Sequence, residues 1–116
     1  VYTGSADLYV FFYIKAISIL RPAGLLGFIT PNKFIRANYG KGLRVFLAKT
    51  SIRVLIDFGE LPVFADAATF PCILICANNL PNEDETGRFL QVKSLQNLNL
   101  SIQVVSDGIA LSNTAF

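Results

Sequence analysis

Phe64 lies in the middle of DFGELPVFADAATFPC, residues 57–72, a stretch of small and acidic residues between two apolar runs. An aromatic placed in such a loop either folds back over a core or offers a flat face to a ligand. Upstream, NKFIRANYGK (32–41) carries three cations, Lys33, Arg36 and Lys41. Cations and an aromatic on one rim are a footprint of nucleic-acid or nucleotide binding. Apart, they are a solvated turn and a core plug. The chain has no histidine and two cysteines, Cys72 and Cys76. Four apart on a strand, they share a face but stand about 13 Å from each other, too far for a disulfide. Without histidine or a second cysteine pair they do not compose a zinc site. The expectation is two buried free thiols in a reducing, cytoplasmic setting.

The elements that must hold these residues belong to a chain of 116 residues, enough for one modest domain. Hydrophobic residues make up 53% and charged residues 16%, which is apolar for a domain of this size. A membrane span does not explain it. The longest apolar stretch, LYVFFYIKAISIL (8–20), contains Lys15 and is shorter than the roughly 20 apolar residues a spanning helix needs. No secretory signal peptide is visible. Surface that is core in a larger protein does explain it, and the lack of any methionine agrees with a fragment. Such a fragment exposes a sheet edge and apolar faces, so the isolated chain is expected to self-associate. Charge is uneven: residues 1–53 carry eight cations against Asp7 alone (+7), and residues 54–116 carry Arg88 and Lys93 against seven acids (−5). Either one side meets a polyanion, or these are solvated helix faces.

A helix is expected from Ser5 as N-cap, with Asp7 in its first turn. Asp7, Lys15 and Ser18 form a narrow polar stripe, so the helix reads as largely buried. RPAG (21–24) ends it. LLGFIT (25–30) reads as a central parallel strand closed by Pro31, with Asn32 as an N-cap for the turn after it. KGLRVFLAK (41–49) is an amphipathic helix, and IRVLIDF (52–58) and PCILICA (71–77) are two more buried strands. Strand–helix–strand is a crossover unit, so the first two strands run parallel. The loop from 60 to 70 lacks a helical pattern and returns the chain antiparallel. RFLQVKSL (88–95) reads as an edge strand, and beyond Gln96 the pattern fades. In open α/β sheets ligands bind beyond the carboxyl ends of parallel strands. Those ends are Thr30–Lys33 and Asp57–Glu60, which brings the basic turn and the Phe64 loop to one edge, where Asp57 either orients the loop or places charge near the site.

Taken together, YTGSADLYVFFY, LRPAG before LLGFITPNK, NYGKGLRVFL and, above all, IDFGELPVFADAATFPCILI resemble the second half of the catalytic domain of N6-adenine DNA methyltransferases. The nearest kind is the fused type IIG restriction–modification enzyme and its Taq-like relatives, over about residues 2–77. Ala23 stands where that family often has a second glycine. The resemblance implies a fragment of a Rossmann-like α/β methyltransferase sheet: two parallel strands plus an antiparallel return strand, with flanking helices. Residues 1–95 are then the C-terminal part of a catalytic domain, and 96–116 a linker or the start of a following domain. The resemblance implies methyl transfer from S-adenosylmethionine to N6 of adenine in double-stranded DNA. It implies that Phe64 stacks on the adenine flipped out of the duplex and that Lys33, Arg36 and Lys41 face DNA. It also implies what is missing: neither the family's glycine-containing cofactor loop nor its Asn-Pro-Pro-Tyr stretch occurs here, and TPN (30–32) is not that motif. No catalytic residue is therefore expected in this chain, which alone should not methylate. Two other classes remain compatible with the residues. One is a small-molecule Rossmann-like methyltransferase in which Phe64 lines an apolar pocket. The other is a non-catalytic interaction domain. A kinase reading of DFG (57–59) fails, because none of the other kinase motifs precedes it.

Overall fold

The structure, a computed structural model, describes residues 7–65, 69–82 and 85–111. Helix α1 (Leu8–Ile19) leads into strand β1 (Leu25–Pro31). Two single 3-10 turns come next, Lys33–Ile35 and Asn38–Gly40, then helix α2 (Lys41–Leu47). Strands β2 (Ser51–Asp57), β3 (Pro71–Ala77) and β4 (Gly87–Gln91), helix α3 (Leu100–Ser106) and strand β5 (Ile109–Leu111) complete the order. The sheet runs β1-β3-β2-β4-β5. β3 is antiparallel to both β1 and β2, so those two point the same way with the return strand inserted between them. β4 joins β2 in parallel, and β5 pairs antiparallel with β4. This contains the expected two like-directed strands and antiparallel return, and adds β4 as a third like-directed strand with β5 antiparallel at its edge.

Details differ from the sequence reading for physical reasons. β1 is at one end of the described sheet, not central, because its only described neighbour is β3. Its burial accordingly alternates along much of its length, as a half-covered strand should. β4 is an inner strand, since the short β5 covers what would have been its free edge. Residues 100–111, where no pattern was legible, carry α3 and β5. Asn99 caps α3 by accepting from Ile102 N–H at 3.3 Å, and Arg88 on β4 donates to the carbonyls of Val104, Val105 and Gly108 at the helix's far end.

The main core lies between α1, α2 and one sheet face, with Val10, Tyr13, Phe34, Leu43, Leu47, Leu55 and Leu74 buried in it. Cys72 and Cys76 are in the same cluster as free, buried thiols. α1 is less buried than its composition suggests. Val10 and Tyr13 face the core, while Leu8, Phe12 and Ile19 are exposed. Only one side of the helix meets the described sheet. The Ser5 cap lies outside the described residues; Asp7 stands at the N-cap position, without a side-chain cap bond. After α1 the chain turns through Ala23 at φ 64°, a left-handed conformation in which glycine would be unstrained.

A second, smaller core sits on the far side of β2, built from Ile56, Phe58, Leu90 and Val92. Leu61 and Val63, the first apolar residues of the loop after β2, pack against it.

Candidate functional site

β1 and β2 end side by side in direction but are separated by β3, and their exits define one rim. The 3-10 turn after β1 carries Lys33 and Arg36, and the loop after β2 carries Phe64. Side chains bind the two exits together. The Asn32 amide donates to Asp57 Oδ1 at 2.9 Å and to the Gly59 carbonyl at 3.1 Å. The Gly59 N–H also donates to Asp57 Oδ1, at 2.9 Å, and Arg36 Nη2 donates to Asp57 Oδ2 at 3.0 Å. The Asp57 side chain is completely buried, while Arg36 keeps 65% of its side chain in solvent. Gly59 adopts φ +58°, which lets the backbone turn its N–H back onto the carboxylate. Gln91 on β4 steadies the same point from the other side by donating to the Asp57 carbonyl at 3.2 Å.

Asn32 thus has a different role from the cap read in the sequence. It occupies the N-cap position of the 3-10 turn but makes no side-chain cap bond. Its amide is drawn instead to two acceptors across the edge, a buried carboxylate and a carbonyl. Asp57, read in the sequence as a strand end that could orient the loop, is the hub of the arrangement.

Phe64 is 45% exposed. Leu61 and Val63 take the plugging role instead. Lys33 is exposed and borders a cleft of about 280 Å³ with Asp7, Pro31, Asn32, Thr69 and Phe70. Phe70 was overlooked in the sequence although it is 42% exposed and shares that cleft. Its position comes from register: Pro31 is opposite Pro71, and Asn32 N–H donates to the Phe70 carbonyl at 2.9 Å. Lys41 opens α2 and is exposed. Arg44, one turn on, is structural. Its Nη1 donates to the Phe34 carbonyl at 2.6 Å and the Ala37 carbonyl at 2.9 Å, fastening the turn that carries Lys33 and Arg36.

Beneath the rim, Tyr13 of α1 shares a hydrogen bond of 2.7 Å with Thr30, the residue before Pro31. Tyr13 also stacks at a tilt on Phe34, with ring centroids 5.7 Å apart. Gly40 lets the chain pass directly against the Phe34 backbone, where a Cβ would collide. Burial pushes the Cys72 thiol up to about 12, offset in part by its hydrogen bond with Thr30, and burial raises Cys76 and Tyr13 as well. These groups stay protonated at neutral pH and support the rim without taking part in proton transfer.

Among the described residues none forms a cradle for S-adenosylmethionine. The glycines in tightest contact, Gly40, Gly87 and Gly108, are packed against this chain's own backbone rather than around an open cradle. Asp57, the buried carboxylate at a strand's end, already has both oxygens bonded within the chain.

A family model described as Eco57I restriction-modification methylase matches residues 1–64. The chain belongs to this family. It is 34% identical over 106 residues to the Type II methyltransferase M.AccI of Acinetobacter calcoaceticus, a match that covers 89% of this chain and 19% of that protein. It is 37% identical over 91 residues to the Type II restriction enzyme and methyltransferase RM.Eco57I of Escherichia coli, covering 78% of this chain and 9% of that one. The chain therefore spans about a fifth or less of the length of these relatives. A solved structure from Listeria monocytogenes, described as a class I S-adenosylmethionine-dependent methyltransferase, superimposes with a TM-score of 0.60 at 16% identity, over 85% of this chain and 31% of that one. That likeness concerns the fold: the sheet is of the methyltransferase kind. Among the described residues no helix is long and apolar enough to cross a membrane.

Proposed function

We propose that this chain forms the target-base and DNA-side wall of a restriction–modification methyltransferase that moves a methyl group from S-adenosylmethionine to N6 of adenine in double-stranded DNA. Phe64 stacks on the flipped adenine; Lys33, Arg36 and Lys41 meet backbone phosphates. The cofactor and the groups that hold the target amine belong to other parts of the enzyme, and residues 1–95 are this chain's share of the catalytic domain. The enzyme acts in the cytoplasm, where its DNA is.

One observation carries the reading: the loop after β2 is tied at its base to the basic turn through Asn32 and packed through Leu61 and Val63, yet holds Phe64 45% exposed. Sheltering apolar surface is the usual outcome for a large aromatic. An aromatic kept open on a fastened loop suits a flat partner, and an extruded base is one.

The test is Phe64→Ala in the full-length enzyme, assayed on its own recognition duplex. Stacking of about 1–3 kcal/mol corresponds to a loss of about 5- to 150-fold in methylation rate. A mismatch opposite the target adenine lowers the cost of extrusion and should return much of that loss. An unchanged rate, or a loss that the mismatch leaves untouched, refutes stacking by Phe64.

A further inference from the structure

The Asp57 carboxylate joins three pieces of chain that sequence keeps apart. Its Oδ1 accepts from Asn32, at the exit of β1, and from the Gly59 N–H, where the Phe64 loop begins. Its Oδ2 accepts from Arg36, whose side chain is 65% exposed. Among the described residues Asp57 is the only side-chain partner of Arg36. A guanidinium has five N–H donors in a planar fork, so the edge of Arg36 not turned to Asp57 can take an incoming phosphate without releasing the carboxylate. A charge held at one end in this way is placed, not free to swing.

We propose that Asp57 is a positioning residue that couples a DNA phosphate at Arg36 to the placement of the Phe64 loop. The proposal rests on Phe64 stacking against the extruded base, and extends it to what sets the ring in position. A phosphate that draws on Arg36 pulls on Oδ2. The other oxygen holds the Gly59 N–H at the left-handed turn from which the loop departs. Seating of the backbone and seating of the aromatic thereby become one event. Neither Asp57 nor Asn32 needs to touch DNA.

Asp57→Asn separates this role from simple support. The amide keeps an oxygen for Asn32 and Gly59 and sets an NH2 where Oδ2 accepted from Arg36, which breaks the link to the guanidinium. In the full-length enzyme the variant should lower the methylation rate by about ten- to a hundredfold, the scale of a small misplacement of a reacting partner, with KM for DNA changed less than the rate. The mismatched duplex should relieve the defect, which a general loss of folding would not show. The decisive readout is the cycle with Phe64→Ala. If Asp57 acts through the loop, Asp57→Asn adds little once the ring is gone. Equal losses from Asp57→Asn with and without the ring overturn the coupling while leaving stacking intact. A Phe64→Ala variant with no defect of its own overturns both. Should Asp57→Asn not fold, Arg36→Gln removes the same link from its exposed end and enters the same cycle; independence from Phe64 there also overturns the proposal.

Discussion

Three substitutions around the buried carboxylate should differ in stability in a way that the geometry dictates. Asp57→Ala removes the acceptor for Asn32, Gly59 and Arg36 at once. Asn32 keeps a second acceptor in the Gly59 carbonyl, so it loses one bond, worth about 1 kcal/mol. The Gly59 N–H has no such alternative and is stranded at a cost of about 1–3 kcal/mol. Arg36, mostly in solvent, turns to water, and the loss of its exposed end is worth at most about 1 kcal/mol. The sum is about 2–5 kcal/mol. Asp57→Asn keeps the first two bonds and should cost about 1 kcal/mol. Arg36→Ala deletes the same ion pair but leaves a fully buried carboxylate with no counter-charge, so it should cost more than Asp57→Asn, toward about 3 kcal/mol. The order is therefore Asp57→Asn mildest, with the other two clearly worse. Thermal unfolding gives the totals, and native-state hydrogen exchange of the 58–70 peptide locates the damage. Asp57→Asn as costly as Asp57→Ala would mean that the bonds to Asn32 and Gly59 do not carry the edge.

Four further outcomes are expected. Lys33→Ala should reduce the slope of log binding constant against log salt by about 0.9, one phosphate's worth, in titrations of the full-length enzyme with DNA. Arg44→Ala should leave that slope alone and instead destabilise the protein by about 2 kcal/mol, since two carbonyl bonds are lost. Ala23→Gly should raise stability by about 0.5–1 kcal/mol, relief of the left-handed turn exceeding the added freedom of the unfolded chain. Cys72 is held protonated by burial with its folded value near 12 against 9.0 for a free thiol. The unfolded state therefore sheds this proton first as pH rises. Stability linked to Cys72 is full below pH 9 and is lost between there and 12, and Cys72→Ser should flatten urea-unfolding free energies across that window.

The elements that carry strong apolar patterns were legible, and those that depend on partners were not. PCILICA matches β3 residue for residue, because a run of buried β-branched and small residues between a proline and an asparagine leaves little choice. The insertion of β3 between β1 and β2 agrees with the lack of a helix between 60 and 70. By contrast β1 looked central because its sequence is continuously apolar, and sequence cannot say which neighbour is present. α3 and β5 were invisible because seven- and three-residue elements have too few turns to show a period. The N-cap of α3 is one asparagine, Asn99, in a stretch with several, and Arg88, which ties the helix's far end, sits on another strand. At the rim, Lys33, Arg36 and Phe64 could be named from residue type and place. A loop-orienting part for Asp57 could be offered as well, but its partners could not, since they come from positions 32, 36 and 59 and meet only once the strand order is known.

Side chains take over at this edge for a reason that lies in the backbone itself. The β1–β3 ladder closes at Pro31 opposite Pro71, and neither residue has an N–H to continue it. β1 and β2 stand two strand spacings apart there, about 9.6 Å, with β3 just beginning between them. The loop after β2 must pass back toward β1 to enter that slot. Main-chain bonds fasten its return: Asn32 N–H to the Phe70 carbonyl and Phe58 N–H to the Pro71 carbonyl, at 2.9 and 3.2 Å. Its departure at Gly59 has no strand to lie against, and Asn32 and Asp57 supply the missing ties from the two flanking exits. A return strand on the β4 side of β2 would have carried the loop away from β1 and its basic turn. Inserting the return strand between the two like-directed strands makes the loop leave from the end of β2 and come back beside the end of β1, which ties its base to the turn that carries Lys33 and Arg36.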